Sequence, residues 1–514
     1  MKIHFISSLF ILLIISPLFS ATIEIEPTGT DDDTDLIQNA LNGLQPGDTL
    51  ILNGDFIHRR TIYLVSDFTW ILDGTLTLAG DAQLDRIGWI DPPIDARRRT
   101  GITEKSGGAT NIDMSGGTYY GNADKYPHSM RLINFVSVTN SKFHDMHITE
   151  VTDDNFTLGP GSNNNECRNL IGSFAGGNAL TDKGDYNKWY DCIAEDCYGP
   201  NSDGWTPKCR NSEFHRCIAR RNVGPGFGMY CRIDGSGDPV DLGESIDGNK
   251  FFECEAYENG GAGFSFNISS NSGAGATIKN NYIQAICYNN ASSGVRFRNK
   301  TADGIVENNE IDILCYGNRG EKSDGTPSTV AGGLGTDGGS SYPPITGITG
   351  RMVSFDNVQY DVNTNNAYNC DITVYNPSGQ NPAVLKKGDA SNKITVINFN
   401  CSDELEHWCQ QAYCDTIAMD VSHAETKKLC FLSSNFPNPF TESIRIAYMV
   451  PAESHVSIKV YDPSGKEQCT LVDEFKQQGQ HMAVLSSKDL PGGTLYYQII
   501  AGKHAEAKKI IHVK

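Results

Sequence analysis

Short runs in which apolar and polar residues alternate dominate this chain, as in Thr61-Ile-Tyr-Leu64 and Thr75-Leu-Thr-Leu78. A period of two predicts half-buried β-strands. Fifty-two glycines and many Asn-Gly, Asp-Gly and Asn-Asn pairs separate the runs, so the strands are short and joined by tight turns. One stretch has helical spacing instead: Leu36, Ile37, Ala40, Leu41 and Leu44 share a face, Asp33 and Thr34 stand at the cap, and Gly43 to Gly47 end it. A strand at Thr49 to Leu52 follows at once, so this helix is expected to cover the open edge of a strand stack. A continuous apolar run from Phe5 to Ile15, after Lys2 and before Pro17, Ser20 and Ala21, reads as a secretory signal over residues 1–20. No later run reaches the length of a membrane span.

The middle of the chain repeats. Cys167, Cys192 and Cys217 are evenly spaced, and an Ile-Ala pair follows each of the last two. Cys217 to Asn222 with Gly226-Phe227, Cys254 to Asn259 with Gly263-Phe264, Cys287 to Asn290 with Gly294-Val295, and Cys315 to Asn318 continue the pattern. One step of about 25 residues is one coil of a solenoid, and the recurring Asn suits a stacked turn with a side-chain ladder. The reading is an all-β, right-handed parallel β-helix over residues 21–400. In that reading Cys167, Cys192 and Cys217 stack inward at one coil position and Cys209 and Cys231 at another, as small apolar residues rather than metal ligands. Residues 401–431 form a cysteine-containing linker in which Cys401, Cys409, Cys414 and Cys430 are candidates for disulfides, their pairing open.

Aligning the coils predicts the outer face. Where Trp205, Pro207 and Cys209 point inward, Thr206, Lys208 and Arg210 point outward, and Gly228, Tyr230 and Arg232 take those places one coil on. Lys183 falls in register with Lys208 one coil earlier. Ser265 and Asn267 follow, then Arg296, Arg298 and Lys300. The whole chain carries 42 basic and 62 acidic residues, a net charge of −20, which argues against nucleic acid and anionic membranes as partners. A basic stripe on such a protein is therefore a local feature. Solubility is the ordinary reading of charged strand faces; stacked like charges a strand spacing apart instead call for an anionic polymer, and a polyuronate fits.

Over residues 21 to about 400 the chain resembles the pectin-lyase-like β-helix superfamily. Asp32-Asp-Thr-Asp-Leu-Ile-Gln-Asn-Ala-Leu41 followed by Pro46-Gly-Asp-Thr-Leu-Ile-Leu52 resembles the cap helix and first strand of those proteins. Asp203-Gly-Trp-Thr-Pro-Lys208, Glu213-Phe-His-Arg-Cys-Ile-Ala219 and Gly226-Phe227 resemble the coil repeat of family 9 polysaccharide lyases, which cleave pectate with a lysine base and an aspartate cluster holding calcium. This sequence departs from that pattern: Ser202 and Thr206 stand beside Asp203 where aspartates are expected, and Gly228 stands where the base would be. Family 6 lyases, which act on alginate and dermatan-type chains, place a lysine and an arginine on neighbouring coils; Lys208 and Arg232 are similar in spacing.

Both resemblances imply β-elimination from an acidic polysaccharide such as pectate or alginate. The C5 proton of a uronate is removed only if the adjacent carboxylate is neutralised and a base is held at that carbon. Lys208 is the expected base, its pKa lowered by Arg210 and Arg232. Arg232 would clamp the carboxylate or donate to the leaving oxygen, with Tyr230 as a second donor, while Lys183, Arg210, Arg296, Arg298 and Lys300 bind substrate. Asp203 with Asp182 or Asn178 would hold Ca2+, although Asp182 aligns with the inward Pro207. Asp153-Asp154 is the one acidic pair that offers a glycoside hydrolase. A non-catalytic polysaccharide-binding or adhesive β-helix is the other alternative.

After about residue 431 the pattern changes. Ser443 to Val450, Val456 to Tyr461, the turn Asp462-Pro-Ser-Gly465, Leu495 to Ile500 and Lys509 to Val513 predict a small β-sandwich over residues 432–514. Asn435-Phe-Pro-Asn-Pro-Phe440, the Val-Tyr-Asp turn and the basic tail resemble the C-terminal sorting domain of the type IX secretion system. That resemblance implies a secreted or cell-surface protein, with the secretion machinery as a partner. The protein is expected to be a monomer.

Overall fold

The structure, a computed structural model, describes residues 20–87, 90–91, 94–95, 98–200, 202–231, 245–269, 275–319, 332–338, 342–358, 360–422, 433–436, 443–450, 453–463, 465–477, 479–488, 490–501 and 504–512. The signal expected over residues 1–20 falls almost wholly outside them. The chain divides after Cys414 into two compact units.

The first unit is a right-handed parallel β-helix. Apart from two short antiparallel pairs, Arg86–Ile87 on Arg98–Glu104 and Ile90–Asp91 on Ile94–Asp95, its strands pair in parallel with the strand one coil away: Thr49–Arg60 lies on Phe68–Gln83 in register from Thr49↔Thr69 to His58↔Leu78. Repeating this step builds a 19-stranded sheet, a 13-stranded sheet and a five-stranded sheet. The 13-stranded sheet, termed here the site sheet, begins with Ile62–Leu64. The predicted helix, α1 (Thr34–Gly43), buries Ile37 and Leu41 against the first coils. Its Gln38 amide accepts from Tyr63 N (2.9 Å) and donates to Tyr63 O (3.0 Å), which satisfies the edge of the first site-sheet strand. Asp33 sits at the cap position without capping: its carboxylate accepts from Thr28 N (2.8 Å) and Ile57 N (3.0 Å), tying the helix to the coil below.

The interior is filled by short inward rows, with aromatic rings stacked between coils: Trp205 on Phe227 and Phe227 on Phe264, centroids 5.7 and 4.3 Å apart. Cys192, Cys217 and Cys254 form one inward column, as the pairings Ile193↔Ile218 and Ile218↔Glu255 require. Cys167 does not belong to it, because it pairs with Trp189, and the coil between those two is shorter than the coil from Cys192 to Cys217. The match in spacing was one of sequence, not of register. All the cysteines of the repeat are buried as expected, Cys209 and Cys231 included, and burial raises the Cys167, Cys192, Cys209 and Cys217 thiols well above the usual thiol range.

The asparagine ladder is present and continuous. Asn222, Asn259, Asn290 and Asn318 each donate their Nδ2 to the Oδ1 of the next, at 2.9–3.0 Å, the last reaching Asn357. The left-handed residue is the one before each rung, Arg221, Glu258, Asn289 or Gly317, so the ladder Asn supplies hydrogen bonds and its neighbour the turn geometry. A second ladder, Asn249–Asn281–Asn309, runs along another corner.

The stretch expected to be a linker carries a second helix, α2 (Trp408–Ser422). Cys401 pairs with Cys414. Between them Cys409 is a buried free thiol whose backbone N–H donates to Asp312 Oδ1 (3.2 Å), and the Tyr413 ring packs edge-on to Phe355 and Phe399. Cys430 lies outside the described residues. The second unit holds a three-stranded and a four-stranded antiparallel sheet with a shared core of Ile444, Ile446, Val456, Ile458, Tyr497 and Ile499. Two of its strands, Glu467–Lys476 and Gly479–Ser486, complete the expected sandwich.

Candidate functional site

The site sheet turns one side to the core and the other outward, and the pairings settle which residues share each row. Thr157, Thr181 and Thr206 lie side by side on successive coils, and Gly228, Ser265 and Arg296 continue the series on the outer face. Two residues further along each strand runs a second outer row. Lys183 and Lys208 sit abreast by the pairing of Asp182 with Pro207, and Tyr230, Asn267, Arg298 and Asp337 follow. The outward register read from the sequence is thus the register of the fold. Lys183 and Lys208 are only 6 % and 7 % exposed.

Three residues at the strand entrances form a run beside these rows. Asp154 Oδ1 accepts from the backbone N–H (2.8 Å) and Nδ2 (3.1 Å) of Asn178, whose own Oδ1 accepts from Asp203 N (3.1 Å). Arg131 faces Asp154 at 3.2 Å, with both side chains buried. Burial and the like charge of Asp154 push the Asp153 carboxyl up, against the pull of Arg131 and Arg98. The sequence reading had Asp154 only as part of an acidic pair. Its place one coil before Asn178 is the signal that puts it in this run. Arg131 was missed, since no repeat marks it.

Asp203 is seated on glycine. A Cβ on Gly224 would stand 2.7 Å from Asp203 Oδ1, and a Cβ on Gly228 would collide with Asp203 Oδ2 and stand 2.6 Å from Tyr230 Cε2. Neither glycine has a left-handed backbone, so space alone demands them. This explains the departure at Gly228 from the lyase signature: where a lysine side chain would leave the strand, the carboxylate of Asp203 already lies.

Of the calcium ligands expected with Asp203, Asn178 lies beside it and Asp182 does not. Asp182 points into the core, fully buried, with Oδ2 accepting from Trp189 Nε1 (2.8 Å) and Oδ1 from Asn187 Nδ2 (2.8 Å) and Gly184 N (3.1 Å). The Asn178 amide oxygen, by contrast, accepts from Asp203 N (3.1 Å) on the outer side. Among the described residues no three His, Cys, Asp or Glu side chains converge as metal ligands. Burial pushes the Asp182 carboxyl up to about 7, while its three hydrogen bonds pull the other way.

The basic stripe divides. Arg210 leaves the row at the end of its strand, more than half exposed, and is held by Asp185 through Nη2 (2.6 Å) and Nε (3.2 Å). Arg298 and Lys300 share Asp337, at 3.1 and 3.4 Å. Among the described residues Arg296 has no carboxylate partner: its Nη2 donates to Ser265 Oγ (3.2 Å), reaching back one coil, and its buried Nε finds no acceptor. Burial lowers the Arg296 pKa against the attraction of Tyr230 and Asp337. Arg232 lies outside the described residues.

Known structures share this architecture. The A-module of the Azotobacter vinelandii mannuronan C-5 epimerase AlgE4 superposes with a TM-score of 0.51 at 14% identity, covering 72% of this chain and 96% of that one. The Dettilon tailspike protein (TM-score 0.49, 12% identity, 92% and 80% covered) and an exopolygalacturonase from Thermotoga maritima (0.42, 14%, 73% and 89%) are also similar. No curated protein matches by sequence. Fold and pairing make the first unit a right-handed parallel β-helix. The second unit is a secretion system C-terminal sorting domain, whose family profile matches residues 434–514, and the protein is accordingly secreted or held at the cell surface. No helix among the described residues is long and apolar enough to cross a membrane.

Proposed function

We propose that the protein acts on an acidic polysaccharide along the outer face of the site sheet, cleaving a uronate linkage by β-elimination. The observation that carries this reading is Arg296, a guanidinium without a carboxylate of its own among the described residues, beside Tyr230 and within three coils of Lys208. A half-buried cation that the fold leaves without a counter-charge is costly, and a substrate carboxylate with two oxygens matches its donors. The fold is one that a mannuronan C-5 epimerase module also uses, and removal of the C5 proton opens both epimerisation and elimination.

In this reading Arg296 neutralises the uronate carboxylate and so makes the C5 proton removable. Lys208, in its neutral form, takes that proton. The electron pair forms the C4–C5 double bond, the C4–O bond breaks, and Tyr230 protonates the leaving oxygen. Lys183 and Arg298 bind flanking residues of the polymer. An acid-rich chain bearing one cationic track suits a polyanion that lies along the coils, since a pyranose residue is about as long as the strand spacing of about 4.8 Å.

The test is incubation of the purified protein with pectate, alginate and glucuronan, following both the ultraviolet absorbance of an unsaturated product and new reducing ends. Absorbance rising with chain scission is expected. Reducing ends without absorbance would favour a glycoside hydrolase using Asp154 and Asp203. Tight binding with no scission would favour a non-catalytic binder, and either result overturns the lyase reading.

A further inference from the structure

We infer that Asp203 serves Tyr230 rather than a metal ion, and that the site neutralises its substrate with arginine alone. The inference rests on the proposed elimination and assigns one of its residues a different part. Three observations carry it.

The first is the seat: Gly224 and Gly228, neither in the left-handed region, make room for the two carboxylate oxygens of Asp203, and the same missing Cβ at Gly228 admits the Tyr230 ring edge beside Oδ2. The second is that no three acidic or histidine side chains among the described residues converge on Asp203: Asp182 is turned into the core with both oxygens hydrogen-bonded, and Asp154 faces Arg131 at 3.2 Å. The third is Arg296, which supplies beside Tyr230 the positive charge that a metal would otherwise bring.

The charged and titratable groups around Tyr230 are Asp203 from the preceding coil, Lys208 abreast of it, and Arg296 and Arg298 from the coils beyond. The cations favour the phenolate and the carboxylate opposes it. Asp203 fixes the ring, and its charge offsets part of the pull of these cations toward the phenolate, which favours the protonated state a proton donor must hold. Asp203 is a positioning residue; Tyr230 is the group that meets the substrate.

Two measurements test this. Calorimetric titration of the intact protein with calcium is expected to show no site that depends on Asp203. A wild-type calcium site that disappears in Asp203→Asn would overturn the inference whether or not any polymer is cleaved, and so separately from the fate of the lyase reading. On a uronate polymer that the wild type cleaves, Asp203→Asn is expected to lower kcat about tenfold or more with KM little changed, to move the alkaline limb of the kcat profile to lower pH, and to gain nothing from added calcium. Gly228→Ala keeps the carboxylate but evicts it from its seat and is expected to reproduce the same profile, its folding checked by thermal melting. Wild-type activity abolished by a chelator and restored by calcium, or an Asp203→Asn variant with the wild-type kcat and alkaline limb, would sink the assignment.

Discussion

The outer faces of the two large sheets are both charged, and among the described residues they answer that charge differently. Along the 19-stranded sheet, arginines meet carboxylates one coil away: Arg216 with Asp191 at 2.7 Å, Arg220 with Glu195 at 2.6 Å, Arg221 with Asp196 at 2.8 Å. Along the site sheet, Arg298 and Lys300 divide Asp337 between them, and Arg296 holds only a serine hydroxyl. Charge on a strand face is thus no evidence of a site, because a solenoid can pair it with the next coil. A cation whose partner the fold withholds is such evidence.

The sharpest way to break the contrast is at the reacting end of the site sheet. Lys208→Ala is expected to reduce turnover of a cleaved polyuronate by on the order of 10²–10⁴-fold while polymer binding persists; a variant that retains wild-type rates would remove the base from this face. Arg296→Ala should lower kcat/KM roughly ten- to hundredfold, about 1.5–3 kcal/mol for a charge-assisted contact, with kcat reduced as well, and leave the melting temperature nearly unchanged. Its counterpart Arg216→Ala, on an exposed pair, should alter neither kcat/KM nor stability by more than about 1 kcal/mol. Equal kinetic effects in the two variants would erase the difference between the faces.

The inner side of the same sheet sharpens the comparison further. Asp182→Ala should destabilise the protein by roughly 3 kcal/mol, since it strands the buried Trp189 and Asn187 donors, as urea unfolding would show. The Asp182 carboxyl is raised from its ordinary 3.8 to about 7 in the folded protein, so it binds its proton more tightly folded than unfolded. The stability it contributes through that proton is full below about 4 and is lost as the pH rises through about 7. The deficit of Asp182→Ala should therefore be larger at pH 4 than at pH 8, and a deficit that grows with pH would contradict the burial of this group.

Much of the architecture was legible because a solenoid repeats itself. The Asn position before each Gly gave the ladder, the alternation around Trp205 gave the outer rows, and the spacing of Cys192 and Cys217 is a true coil. Cys167 shows the limit: coil length varies at the turns, and the same step taken back from Cys192 arrives at a different place in the cross-section. Helix α2 escaped notice because its apolar residues, Trp408, Ala412, Tyr413 and Ile417 among them, lie all round rather than along one stripe. At the site, Arg296 and the lysines followed from register. The seat of Asp203 did not, because Gly224 looks like a turn glycine and Gly228 like a missing side chain until the coil before them is laid on top. Acidity alone offers Asp182 as a ligand, although strand alternation already sets it beside the inward Pro207, and the fold follows the alternation.

The asparagine ladder gives the solenoid a direction of its own. At each rung both the backbone N–H and the Nδ2 of one asparagine converge on the single Oδ1 of the next, Asn222 on Asn259 and Asn259 on Asn290. Cutting the stack after a rung strands two donors, whereas cutting before it bares one acceptor. The two ends of any fragment are therefore chemically unlike, and coils added from the C-terminal side complete bonds already offered by the rung before them.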